Sequence, residues 1–321
     1  MPYTNSQATP RADIYALVME ANIDFNKLFI GDQLFPVKGE DAKRGIYMKA
    51  KKGNAQLLNG DALPRAAGST YQRVNRKYDT DTYDTEEFGL EAVIDDAYES
   101  EVERFMNLEA TEAKLLERSL RISYEVRVKN KTFDTGSFTA TAATVNYTAA
   151  LISTIDVVND IDLAKGRMLK RGVIPNAAAM SYDVFQRIRR STLLQNQIFG
   201  VVPRAAGQRT LPGVQDVAQA LGLEQLFIGS APVNANPQGA AFSGSFIWSP
   251  SYIFVGCVAS GEYEAGGVGR TIQWSKDTTG LFTPETYRDD TRRSNILRVR
   301  QNVSEKVIDV EAGELITTNY A

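Results

Sequence analysis

Residues 99–129 form one long stretch without proline. Its apolar residues, Val102, Phe105, Met106, Ala113, Leu116, Leu120, Tyr124 and Val128, fall mostly three or four apart. That spacing marks one face of an α-helix. Unbroken, the helix would be roughly 46 Å long at 1.5 Å per residue. A helix this long belongs to a coiled coil, a bundle or the backbone of an elongated domain. The intervals drift rather than hold a heptad, which favours the elongated domain. Charged residues surround the stripe, with Glu117 before Arg121 and Glu125 before Lys129 in the favourable i, i+4 order. The polar face is therefore read as solvated scaffold. Asn107 offers a cap for a shorter helix starting at Leu108.

Two absences narrow the chemistry. The 321 residues contain no histidine, which removes Ser-His-Asp and Cys-His nucleophile pairs, the common zinc sites and the usual general base. The single cysteine, Cys257, lies in the apolar run IFVGCVA and is expected to act as a small buried hydrophobe. A net charge of −3 lacks the basic footprint of a chain built to neutralise nucleic acid. The N-terminal residues have no signal-peptide pattern, and the longest apolar run, residues 252–259, is too short for a bilayer. A cytosolic origin is expected.

Residues 1–12 are polar, and Asp13 is placed to cap a short amphipathic helix. The following LFIGDQLFPVKG reads as an extended arm with too few neighbours to form a core, suited to contact with another element or subunit. Residues 46–88 read as a long polar hairpin with a basic cluster (Lys49, Lys51, Lys52, Arg73, Arg76, Lys77) followed by an acidic one (Asp79, Asp81, Asp84). Such a hairpin cannot pack itself into a globule, so these residues are candidates for inter-subunit contact. Residues 148–171 read as a second helix stopped at Gly172, VIPNAAAMS as a buried strand, and Ser181 as the cap of a third helix. A fourth covers 215–221. Strands separated by Gly and Pro complete the chain, giving an α+β protein with helices and strands segregated.

The sites of known chemistry fail on inspection. In Asp79-Thr-Asp81-Thr-Tyr83-Asp84 the third calcium-ligand position is Tyr83, the required glycine is Asp84 and the twelfth position is Leu90. In Gly266-Gly267-Val268-Gly269-Arg270-Thr271, Arg270 replaces the phosphate-loop lysine and Ile272 stands where a dinucleotide fingerprint needs glycine. This stretch is read as a glycine turn between strands. The arginines of 187–190 and 288–300 lack interleaved stacking aromatics and read as salt-bridged surface. No catalytic, metal or cofactor residues are assigned.

The order of segments nevertheless resembles the major capsid proteins of tailed bacteriophages. Leu28-Phe29-Ile30 and Leu34-Phe35-Pro36-Val37 resemble the arm's lead into the loop, and Ile46-Tyr47 the rising loop strand. Leu116 to Arg127 is similar to the spine helix. Lys170-Arg171-Gly172-Val173-Ile174-Pro175-Asn176-Ala177-Ala178-Ala179-Met180 with Tyr182-Asp183-Val184-Phe185 resembles the axial domain. Arg298-Val299-Arg300, Val307 and Leu315 to Asn319 resemble the closing peripheral strands. The resemblance implies an N-terminal arm (1–40), an extended β-hairpin loop (41–88), a peripheral domain with a long spine helix (89–131), an axial domain (132–269) and closing peripheral strands (270–321).

It further implies a non-enzymatic subunit that assembles as pentamers and hexamers into an icosahedral head shell around packaged double-stranded DNA. That DNA would be contacted non-specifically, and mild acidity fits a shell that must release it. A separate scaffolding protein, a portal and a decoration protein are the expected partners. The implied location is the virion, after assembly in the host cytoplasm, without cofactors or membrane. The alternatives are a nanocompartment shell of the same fold and, from another class, a histidine-free enzyme using carboxylates.

Overall fold

The computed structural model describes residues 9–10, 23–49, 62, 64–71, 73, 79–97, 107–200, 211–236, 240–261, 263 and 266–320. In chain order these give β1 (Thr9–Pro10), the one-turn helices α1 (Ile23–Asn26) and α2 (Gly31–Leu34), β2 (Val37–Glu40), β3 (Arg44–Lys49), β4 (Asp79–Asp84), β5 (Glu86–Asp95) and the long helix α3 (Leu108–Thr132). Next come β6 (Ala140–Ala142), α4 (Val157–Lys170), β7 (Ala177–Ser181), α5 (Tyr182–Ile188), α6 (Thr192–Phe199), α7 (Val214–Ala220) and β8 (Gln225–Gly229). Strands β9 (Pro232–Asn234), β10 (Gly244–Phe246), β11 (Tyr252–Gly256), β12 (Gly269–Trp274), β13 (Thr283–Asp289), β14 (Ser294–Val307) and β15 (Gly313–Thr317) follow.

Helix α3 takes the shorter of the two starts. The Asn107 side chain accepts from the Ala110 N–H at 2.9 Å, satisfying one of the first-turn donors. Its 25 residues make a rod of roughly 37 Å. Val102, Phe105 and Met106 lie outside the described residues. Ala113, Leu120, Tyr124 and Val128 are buried as their spacing requires, while Leu116 is only partly so. The expected solvated charged face needs correction, because Glu117, Arg121 and Glu125 are buried too. Lys129 and Lys131 sit in the last turn, complementing the negative end of the helix dipole.

The helix lies against a six-stranded sheet built around β14, which pairs antiparallel with β13, β12 and β5. β1 extends β13, and β2 joins β12 in parallel. Ala113 packs with Ile94 and Leu297 where helix and sheet meet. The stretch LFIGDQLFPVKG is not the extended arm its composition indicated. It holds the α2 turn, and Phe29, Ile30, Leu34 and Phe35 enter the main core with Leu120, Tyr124 and Val128. Its partners lie some ninety residues away in sequence, so no local window could reveal them.

A second, five-stranded sheet has the order β6-β15-β11-β7-β8. Of the expected buried strand VIPNAAAMS only Ala177–Ser181 forms β7, with Ala177-Ala178-Ala179-Met180 wholly buried in the sheet, whereas Ile174 before it is exposed. Ser181 caps α5 by accepting from the Asp183 N–H at 3.2 Å. The expected helix over 148–171 divides instead. Asp156 caps a fresh start, accepting from the Asn159 N–H at 3.1 Å, and Ala149–Thr154 is a separate 3₁₀ segment. Gly172 stops α4 with φ of 79°, the left-handed conformation glycine allows.

Two further differences concern topology. β7 and β8 pair in parallel across the α5–α7 crossover, so the segregation of helices from strands is incomplete within an α+β fold. The expected closing run 270–321 also divides. β12, β13 and β14 lie in the six-stranded sheet, whereas β15 pairs with β11 in the five-stranded one. Leu315, placed by resemblance among peripheral strands, is therefore part of the other sheet.

Candidate assembly surfaces

β3 and β4 form a two-stranded ribbon that pairs with neither sheet. Its register sets Arg44 opposite Asp84, Tyr47 opposite Asp81 and Lys49 opposite Asp79. Of the clusters singled out in the sequence, Lys49 of the basic one thus faces Asp79 of the acidic one within the ribbon. Arg44 and Asp84 form an ion pair at 2.9 Å on the exposed surface. A pair this exposed contributes about 0–1 kcal/mol. Asp81 is half-buried and accepts from the Tyr47 hydroxyl at 3.3 Å. Arg73 is described and exposed, and Lys49 and Asp79 are placed by their backbone pairing. Lys51, Lys52, Arg76 and Lys77 lie outside the described residues.

The period-two alternation of a strand turns Ile46 outward, 72% exposed, and Tyr47 inward, 3% exposed. Tyr47 and Tyr83 are buried with Ile272 and Ile308 of the body, and Tyr263 packs on this cluster. Thr85, just past the ribbon, closes its base by donating backbone and hydroxyl groups to the Lys43 carbonyl at 3.1 and 3.3 Å. Charge dominates the reading of this segment from sequence. The signal it passes over is a pair of tyrosines in otherwise polar arms.

A second junction joins the segment before β2, the long helix and the β10–β11 region. The Glu125 carboxylate accepts from the Ile30 and Gly31 N–H groups at 3.0 and 2.8 Å and from the Trp248 indole N–H at 2.6 Å. Burial pushes its pKa from 4.5 up to about 6, against these three bonds, which hold it down. The i, i+4 pairing expected with Lys129 gives way to this inward contact. A Cβ added at Gly31 would stand 2.5 Å from the Glu125 Oε2, so glycine is what lets the chain approach. Trp248 also meets Phe133 edge to face at 5.1 Å.

The arginines of β14 are salt-bridged as expected, but not at the surface, since Arg300 and its partner Glu285 have side chains only 12% and 5% exposed. Arg300 reaches Glu285 at 2.8 Å and Asp277 at 2.7 Å, and Arg298 reaches Glu285 at 2.5 Å. Burial pushes the Glu285 carboxyl up, but hydrogen bonds from Arg300 and Arg298 outweigh it and leave the group below its ordinary range. Gly266 and Gly267 adopt positive φ in the expected turn before β12. Buried Arg270 ties that turn to the strand, donating to the Gly266 carbonyl at 2.7 Å and the Gly269 carbonyl at 2.9 Å. Among the described residues no His, Cys, Asp and Glu cluster could hold a metal ion, and no helix is long and apolar enough to cross a membrane.

No protein-family model matches the sequence, and comparison with curated proteins finds no match. Solved structures do match. A crystal structure of a phage-related protein from Bordetella bronchiseptica RB50 is 19% identical, with a TM-score of 0.68 over 97% of this chain and 98% of that one. The capsid structure of the cyanophage P-SCSP1u gives a TM-score of 0.58 at 11% identity, over 91% and 88% of the two chains. A virus-like particle from Pyrococcus furiosus gives 0.53 at 7% identity, over 94% and 96%. At such identities it is the fold that is shared, and across nearly its whole length this chain has the fold of phage capsid proteins.

Proposed function

We propose that the chain is a structural, non-enzymatic subunit of an icosahedral head shell that encloses packaged double-stranded DNA. The observation that carries this reading is the likeness to phage capsid structures over about nine-tenths of the chain. In this reading the arm ends where residues 28–35 enter the core, residues 41–88 are the loop, 89–131 the spine-bearing peripheral domain and 132–269 the axial domain. Of the closing run 270–321 only β12 to β14 complete the peripheral sheet, and β15 joins the axial one. Copies join as pentamers and hexamers in the virion after assembly in the host cytoplasm. The loop charges Lys49, Lys51, Lys52, Arg73, Arg76, Lys77, Asp79, Asp81 and Asp84 meet neighbouring copies. A scaffolding protein, a portal and a decoration protein complete the assembly.

Electron microscopy of the purified chain tests the reading. Closed particles of uniform diameter, or free pentamers and hexamers awaiting the scaffolding protein, are expected, and a monomer only would overturn it. Changing Lys49, Lys51 and Lys52 together to Glu should leave a folded subunit, seen by circular dichroism, that fails to close shells in sedimentation. Contacts repeated around a shell sum to a large effect, and added salt should weaken them. Normal shells from the triple variant would remove these lysines from the interface. The likeness to the Pyrococcus furiosus particle favours a second reading, a nanocompartment shell. The contents separate the two, nucleic acid for the first and folded protein for the second.

A further inference from the structure

Three tyrosines from distant parts of the chain converge where the β3–β4 ribbon leaves the body. The Tyr47 and Tyr263 rings stack with centroids 4.9 Å apart and planes 19° from parallel. The Lys38 ammonium lies 3.7 Å from the Tyr263 ring centroid. The Tyr263 hydroxyl donates to Glu40 at 3.0 Å, and Glu40 pairs with Lys38 at 3.5 Å. Tyr83 donates to the Ala42 carbonyl at 3.3 Å, and its ring lies so close to Gly45 that a Cβ there would stand 2.6 Å away. An isolated two-stranded ribbon is marginally stable and has no reason to keep one direction. Here one tyrosine from each strand is buried against the body, and each strand is thereby held at its root.

We propose that Tyr263 is a positioning residue, whose stack on Tyr47 fixes the direction in which the ribbon leaves the body and so sets how it meets a second copy of this chain. The consequence for assembly rests on the shell reading above; the clamp itself does not. Stacked aromatic pairs prefer a defined offset geometry, and a ring held additionally by a cation and a carboxylate has little freedom to rotate. Angular play at the root is magnified toward the Lys49–Asp79 end of the ribbon. Neighbouring copies would then meet it at varying angles, and the closed particles would vary in diameter.

Hydrogen–deuterium exchange on Tyr263→Ala tests the clamp. Amides of residues 44–49 and 79–84 should exchange about tenfold faster than in the parent, while those of β14 stay unchanged. Tyr263→Phe keeps the ring and should restore most of the protection. If Tyr263→Ala does not fold, Tyr263→Leu, which fills the space without the stack, carries the same comparison. Unchanged ribbon exchange would overturn the proposal. Faster exchange with shells of parental diameter would overturn the positioning role, and a spread of diameters in the alanine variant alone would support it. A parent chain that forms neither closed particles nor pentamers and hexamers would sink the shell reading, and ribbon exchange would still decide the clamp.

Discussion

The long helix and the loop ribbon are both rich in charge, yet they place it in opposite environments. Helix α3 buries Glu117, Arg121 and Glu125 against the body. The ribbon leaves Arg44 and Asp84 to pair at the surface, with side chains 76% and 50% exposed. A buried carboxylate is held by directed donors that have nothing else to bond if it is removed, whereas water replaces a surface partner at little cost. The same residue types therefore organise the fold in one region and leave it nearly untouched in the other.

The contrast should be widest for Leu120→Asp, which sets an unpaired carboxylate in the main core. The cost is several kcal/mol against a total stability of about 5–15 kcal/mol, so no soluble folded protein is expected on expression. Leu116→Asp, equivalent by spacing, should be milder because Leu116 is only partly buried. A melting temperature for Leu120→Asp equal to the parent's would remove that helix face from the core.

Next in size is Glu125→Ala, which strands the Ile30, Gly31 and Trp248 donors. A loss of about 3–5 kcal/mol is expected in denaturant unfolding of dissociated subunits. Glu125 also carries a pH signature. Its folded-state pKa of about 6 lies above the ordinary 4.5, so the folded form binds the proton more tightly. Its favourable contribution is complete below about pH 4.5 and is lost as pH rises through about 6, a change of about 2 kcal/mol. Parent stability relative to Glu125→Gln should fall over that window. A constant difference would show that the three donors, rather than burial, govern the group.

The smallest effect belongs to the ribbon. Arg44→Ala and Asp84→Ala should each cost less than about 1 kcal/mol, and a double-mutant cycle should give a coupling that fades with added salt. A coupling above about 2 kcal/mol would mean that the ribbon pair is desolvated like Glu125.

The sequence by itself determined the local features. The apolar spacing along residues 99–129 marks the long helix, and Asn107 marks the start of its shorter form. The stretch from Ile46 marks the rising strand of the loop, Ser181 and Gly172 mark helix boundaries, and the order of segments marks the capsid fold. The helix and strand signals depend on neighbours within a few residues, and the order of segments on the run of the whole chain, both of which a sequence displays directly. Tertiary structure alone decided which helix charges turn inward, that Phe29 and Phe35 belong to the core, that β15 joins the five-stranded sheet, and that Tyr263 stacks on Tyr47. Those contacts join positions from about sixty to more than two hundred residues apart. Glu125 and Glu109 lie on the same helix and carry the same group. What separates them is the arrival of Ile30, Gly31 and Trp248 at one of them, which spacing along the chain does not encode.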